Sequence, residues 1–406
     1  MLDWIAITEW LEFAVRWLHV VTAIAWIGSS FYFIALDLGL HRDRNLSTGA
    51  DGEEWQVHGG GFYHIQKYLV APANMPDGLV WFKWESYSTW LTGFALLAVV
   101  YYWGAEFYLV DPAVLELTTW QAIAISVASL AFGWIVYNTL CKLFVNANQT
   151  VLMVALFVVL VAMSYFYTSV FAGRAALLHL GAFTATIMSA NVFFIIIPNQ
   201  KIVVADLIAG RKPDPKFGKI AKQRSTHNNY LTLPVIFMML SNHYPLAFAT
   251  EYNWLIAALV FLMGVTIRHF FNSMHARKGT PYWTWALTAA LFIAVMALSL
   301  APMWKDAPEE LTAAEARFVE ADGFADTYDI VMGRCSMCHA SEPSWDGLRH
   351  APKGVVLETE AQIARHARDI YLQAGITHAM PPANLSWMEP EERAKLAAWY
   401  RAALAG

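Results

Sequence analysis

An all-α membrane protein is what this sequence predicts: a polytopic bundle of eight transmembrane helices followed by a small water-compatible helical domain. Three observations lead there. Of 406 residues, 57% are hydrophobic and only 15% charged, with a mean hydropathy of +0.40. Apolar stretches of spanning length recur over residues 1–302 and stop there. Charge follows the same division, with 17 basic and 16 acidic groups in residues 1–302 but 10 and 16 in residues 303–406. The composition excludes a soluble enzyme of ordinary make-up, a disordered chain and a nucleic-acid-binding protein. The expected organisation is a membrane domain over 1–302, a linker over 303–309 and a second domain over 310–406.

A helix needs roughly 20 apolar residues to cross the hydrocarbon, because every backbone polar group must be satisfied within the segment. Eight stretches fit, near 11–36, 88–104, 118–140, 150–171, 175–197, 231–249, 254–275 and 281–302. The loop after the fifth carries Lys201, Arg211, Lys212, Lys216, Lys219, Lys222 and Arg224, which places it in the cytoplasm. By alternation, the loops holding Arg42, Arg44, Lys67 and Lys83, then Lys142, then Arg277 and Lys278, share that side, and both termini lie outside. The N-terminus has no basic region or small-residue cleavage site, so the first span is expected to stay in the mature protein.

The loop from Asp37 to Glu85 is long enough to bind something or to fold on its own, with Gly59, Gly60 and Gly61 at its centre. The alternative is an interfacial connector anchored by Trp and Tyr. A faint repeat relates His19, Phe31 and Phe33 of the first span to His179, Phe193 and Phe194 of the fifth, as two four-helix halves or chance would produce.

Cys335, Ser336, Met337, Cys338 and His339 form Cys-x-x-Cys-His, the attachment sequence of a c-type haem. Two thiols on one turn can add to the two vinyl groups of one porphyrin, and the neighbouring imidazole then faces the iron. The motif falls in the tail that the charge distribution puts outside the cytoplasm, where such haems are attached. A thiol redox site or half a zinc site is the rival, but no second Cys pair follows. Met380, followed by Pro381 and Pro382, is the expected sixth ligand, ahead of His350, His366 and His378. A helix into Cys335 and a closing helix after Pro390 complete a class I-like cytochrome c pattern, with Leu396, Trp399 and Tyr400 as core. Cys141 sits among apolar neighbours and is read as inert.

Ionisable residues in spans are costly and mark sites or buried partners. Arg16 and Arg174 can reach the interface. His19, His179 and His243 belong to the outer half, and His269 and His275 to the inner half. Among them His19, His179, His243 and His269 are candidates for a haem b held by paired imidazoles, or for a substrate site. Arg268 is a candidate anion-binding residue, because guanidinium makes planar paired bonds to anionic oxygens.

Taken over its full length, the chain resembles the bacterial membrane-bound urate oxidases, also called urate hydroxylases. The likeness is carried by Cys335, Cys338, His339 and the Met380, Pro381, Pro382 run, with Trp17, Leu18 and His19 through Trp26, Ile27 and Gly28 in the first span. It implies oxidation of urate to 5-hydroxyisourate, with electrons leaving through the chain's own cytochrome c domain rather than to oxygen with release of peroxide. It also implies a bacterial inner-membrane location with a periplasmic cytochrome, and a soluble periplasmic cytochrome or terminal oxidase as acceptor. No catalytic residue is carried over from it. Two other readings stand beside it: a quinol:cytochrome c electron-transfer module or oxidase subunit, and a metal or haem transport domain with an attached cytochrome. The second draws on a short first-span likeness to haem-binding and copper-transport families.

Overall fold

The computed structural model describes residues 4–69, 72, 76, 78–144, 148–301, 311–348 and 351–405. The chain divides into two compact units, Met1–Val110 with Leu117–Pro302, and Met303–Gly406 with Asp111–Glu116. His350 and the expected linker 303–309 lie outside the described residues.

Among the described residues, six helices are long and apolar enough to cross a membrane. They are α1 (Trp4–Gly39), α4 (Thr119–Leu143), α5 (Gln149–Thr168), the continuous run of α6 (Gly173–Ala190) into α7 (Ile197–Ile208), α10 (Asn253–His275) and α11 (Trp283–Leu300). The expected span at 88–104 falls on α2 (Trp84–Leu97) and a π-helical turn, Ala98–Tyr102, ahead of short α3 (Ala105–Tyr108). The expected span at 231–249 is corrected more deeply. Its first part is the end of α8 (Pro215–Ser241), and the chain then turns into short α9 (Pro245–Phe248). Hydropathy hid the true start of α8, whose first half is polar. Asp214 accepts from the Lys216 N–H and Pro215 occupies the first turn, a strong helix-start signal independent of hydropathy.

The all-α expectation also needs amending. The loop between α1 and α2 folds as an antiparallel hairpin, β1 (Ala50–His58) and β2 (Gly61–Tyr68). Gly59 and Gly60 connect the strands with φ of +59° and +81°, and the two-residue turn that matches strand twist requires positive φ at both places.

Helix α6 packs against α4, α5 and α8, and α10 packs against α5, α8 and α11. Large apolar side chains such as Trp10, Phe13 and Trp17 on α1, Val158 on α5 and Ile293 on α11 face outward. Exposed together in water they would be unfavourable, whereas hydrocarbon solvates them. Small residues bring helix backbones close. A Cβ added at Gly264 of α10 would lie 2.4 Å from Pro234 Cδ of α8, so this contact needs glycine.

The second unit holds α12 (Ala313–Glu320), α13 (Phe324–Arg334), α14 (Glu360–Arg365), α15 (Ala367–Ile370), a π-helical turn (Tyr371–Ile376) and α16 (Pro390–Ala405). Helix α13 leads into Cys335 and α16 closes the unit, as the sequence predicts. Leu396, Trp399 and Tyr400 are buried. The Trp399 indole donates to the Phe318 carbonyl at 2.8 Å, and Tyr400 stacks on Tyr371 with centroids 4.5 Å apart.

Candidate functional site

The first unit encloses a layer of polar side chains built mostly from the polar half of α8. Arg224, His227 and Asn228 recur at helical spacing on one face and are buried. The Tyr137 hydroxyl of α4 and His227 Nδ1 are 2.8 Å apart. Asn191 begins the π-helical turn Asn191–Ile196 after α6, and its amide donates to Tyr137 Oη and to Asn228 Oδ1. Arg224 donates to Asn138 Oδ1 at 2.8 Å and to Asn191 Oδ1 at 3.4 Å, while its Nε has no partner among the described residues. On the next face, Asn229 Oδ1 accepts from Arg268 Nε at 3.2 Å and from Asn272 Nδ2 at 3.0 Å, and Arg268 Nη2 donates to Asn272 Oδ1. The Arg268 guanidinium also lies over the Phe31 ring, 4.1 Å from its centroid.

Both guanidiniums are almost fully buried, 3% exposed for Arg224 and 5% for Arg268. Among the described residues, neither has a carboxylate within 4.0 Å. Their acceptors are neutral amides. Burying a cation without a counter-charge is expensive, so this layer carries positive charge for a reason other than packing.

A cavity of about 190 Å³ opens beside Arg268, between α1, α8 and α10. Helix α8 contributes Lys222, Thr226 and Tyr230, one turn apart on one face. Helix α10 contributes His269, Asn272 and Ser273. The Tyr230 hydroxyl and His269 Nδ1 approach to 3.3 Å. Asp37 of α1 and Lys278 also line it, and Asp37 is ion-paired with Lys67.

The other histidines considered for the membrane domain go elsewhere. His179 is fully buried with both ring nitrogens engaged, Nε2 with Ser126 Oγ and Nδ1 with the Ala175 carbonyl, each at 2.8 Å. His19 Nδ1 meets the Thr89 carbonyl at 3.1 Å and Thr92 Oγ1 at 3.2 Å. His243 lies beyond the end of α8, with its Nε2 3.2 Å from Arg16 Nη1. His19 and His179 each bond to a neighbouring helix, α2 and α4 respectively, and His179 also bonds to its own. His275 Nδ1 is buried without a partner among the described residues. Arg224, His227, Asn191, Asn229 and Asn272 were not singled out from the sequence. The spacing of Arg224, His227, Asn228 and Leu231 could have revealed a buried helix face.

In the second unit, Cys335 and Cys338 sit on the turn that ends α13, and the backbone N–H groups of Cys338 and His339 both donate to the Cys335 carbonyl. His339 Nδ1 donates to the Val355 carbonyl at 2.9 Å, which fixes the tautomer and leaves Nε2 as the available lone pair. Burial pushes the Cys335 thiol up to about 12 and raises that of Cys338 as well. Among the described residues, no three His, Cys, Asp or Glu side chains cluster as a mononuclear metal centre requires. The residues present fit a porphyrin carried by two sulfurs and an imidazole.

The segment bearing Met380 is tied down by Arg393 of α16. Its guanidinium donates to the carbonyls of Ala374 at 2.8 Å and Met380 at 2.7 Å, and to Asn384 Oδ1 at 3.1 Å. Ala383, Asn384 and Trp387 all have φ between +50° and +58°, so the surrounding bonds hold a conformation that non-glycine residues resist. His366 instead pairs with Asp369, and His378 is exposed.

A family model described as urate oxidase N-terminal matches residues 5–299. The chain belongs to that urate oxidase family. No curated protein and no solved structure matches it. The matched region covers the buried polar layer, the cavity and the six long apolar helices. For this urate oxidase family member the family supports an oxidoreductase acting on urate, and the helices fit a lipid bilayer.

Proposed function

We propose that the protein is a membrane-bound urate dehydrogenase that converts urate to 5-hydroxyisourate and sends the electrons through its own C-terminal cytochrome c domain, without releasing peroxide. The balanced conversion adds water to urate and removes two protons and two electrons. Cys335 and Cys338 would carry haem c, with His339 and Met380 on its iron, supplying one-electron acceptance. The observation that carries the reading is the union, in one chain, of the family region 5–299 with a Cys-x-x-Cys-His turn whose imidazole is pre-oriented by Val355.

The membrane domain reads as eight passes: the six long helices, the 84–102 helical run, and α8, which packs on α6 and α10. Two bonds support the alternation. Arg16 reaches His243, and Arg277 reaches the Gly39 carbonyl at 2.7 Å; each joins residues that the positive-inside assignment puts on one side. Both termini then lie in the periplasm of a bacterial inner membrane, where a soluble cytochrome or a terminal oxidase can take the electrons. Of the four histidines that the sequence offers for a haem b in the membrane domain, His19, His243 and His269 are left, since both nitrogens of His179 are occupied.

The test is anaerobic addition of urate to purified, haem-loaded protein, followed by the reduced-haem absorbance. Reduction by urate, lost when Cys335 and Cys338 are replaced by alanine, is the expected result. Reduction by quinol but not by urate would establish the quinol module instead.

A further inference from the structure

We propose that the cavity between α1, α8 and α10 is the binding site for the urate monoanion, an inference that rests on the urate-oxidoreductase reading above. Urate is a small, planar anion whose rim alternates N–H donors with carbonyl acceptors. Its host needs positive charge, an amide or equivalent for paired hydrogen bonds, and flat side chains. The cavity supplies each.

The charge comes first. Lys222 and Lys278 stand at the cavity with no ion-pair partner among the described residues, while the acid there, Asp37, is already neutralised by Lys67. Behind the wall, Arg268 is buried without a counter-ion and donates to Asn272, which lines the cavity. An anion one residue away from that guanidinium would offset a desolvation cost that the protein's own neutral amides leave standing. The Asn272 amide already accepts from Arg268 and donates to Asn229, which leaves one N–H and one oxygen lone pair for the N–C=O edge of a purine. Tyr230 and His269 add two rings, paired with each other at 3.3 Å, whose polar atoms can switch between donor and acceptor.

Size narrows the occupant. At about 190 Å³ the space is below that of sites for drug-sized molecules, so it suits one small heterocycle and not a porphyrin. Location fits as well, because the lysines that open the cavity belong to the Lys- and Arg-rich side of the membrane domain. Urate would enter from there.

The experiment measures equilibrium binding of radiolabelled urate and anaerobic urate-driven haem reduction on the full, haem-loaded chain. The variants are Lys222→Gln with Lys278→Gln, Tyr230→Phe, and the cavity-filling Ala276→Phe, with haem content and thermal melting as checks on folding. The lysine pair involves exposed side chains, which keeps the test valid if the filled cavity does not fold. Expected is a weakening of urate binding by about tenfold or more in each, with a matching rise in KM. Wild-type binding and reduction that persist within about twofold in the folded variants would overturn the site and leave the activity standing. Wild-type binding sensitive to the variants, without haem reduction, would support the site and overturn the activity. Absence of wild-type binding would overturn the site.

Discussion

Two buried arginines, one in each unit, show how differently the same side chain can be accommodated. Arg393 in the second unit meets backbone carbonyls of Ala374 and Met380 and the amide oxygen of Asn384, so its donors are taken up and the chain around Met380 is pinned. Among the described residues, Arg268 in the membrane unit donates to Asn229 and Asn272 and lies over the Phe31 ring, and Arg224 keeps a buried Nε with no acceptor. The first arrangement is complete within the protein and serves architecture. The second holds positive charge that no carboxylate among the described residues balances.

Replacing each residue separates these roles. Arg393→Met should be the most damaging, because it strands two or more buried carbonyls at about 1–3 kcal/mol each. It is expected to lower the melting temperature of the second unit and to weaken the Met–iron charge-transfer band that the proposed haem would show when oxidised. Survival of both signals at wild-type strength would end the view of Arg393 as a clamp. Arg268→Met should do the opposite: melting holds or rises as an uncompensated cation leaves the interior, while urate affinity falls about tenfold. A large loss of stability with unchanged affinity would put Arg268 in the same architectural class as Arg393.

Local stability gives finer contrasts. Thr312 caps α12 through a reciprocal bond set with Glu315, so Thr312→Ala should cost the second unit about 1 kcal/mol, readable from denaturant midpoints. In the membrane unit, the His64 imidazole 2.7 Å from the Glu53 carboxylate holds that acid below its usual range. A lowered folded-state value means that the pair's contribution is present above the ordinary carboxylate pKa and fades as pH falls through the depressed one. Trp55 stacks on His64 at 4.2 Å, so the difference in fluorescence between wild type and Trp55→Phe should change across that acidic window. A signal flat down to the unfolding of the whole chain would show that the pair does not support the hairpin.

The legible parts of the sequence were those that follow a strong local rule. Cys335, Cys338 and His339 announce themselves by spacing, and Leu396, Trp399 and Tyr400 by periodicity before a buried closing helix. Long apolar helices followed from hydropathy alone. The hairpin was missed although Gly59 and Gly60 lie between runs containing Trp55, Val57, Phe62 and His64, because a membrane reading favours helices. The buried polar layer was missed for a related reason. Arg224 was counted as a loop cation and the polar half of α8 as a connector, since a hydropathy window cannot distinguish a polar loop from a polar helix buried against neighbours. Hydropathy alone makes Arg268 a candidate for anion binding and His269 one for a haem or substrate site; what the sequence does not show is their partners, Asn229 and Tyr230 of α8.

The wide turn at Asn191–Ile196 also sets the phase of everything after it. A π-helical turn spends one residue more than the regular winding, and each residue rotates the outline of a helix by about 100°. Deleting a single residue there would turn the helix from Ile197 to Ile208 by about that angle relative to Gly173–Ala190. Asn191 would keep its hold on Asn228 from the end of Gly173–Ala190, while the side chains beyond the turn would meet different neighbours, so the second half of the rod would lose its alignment without losing its helix.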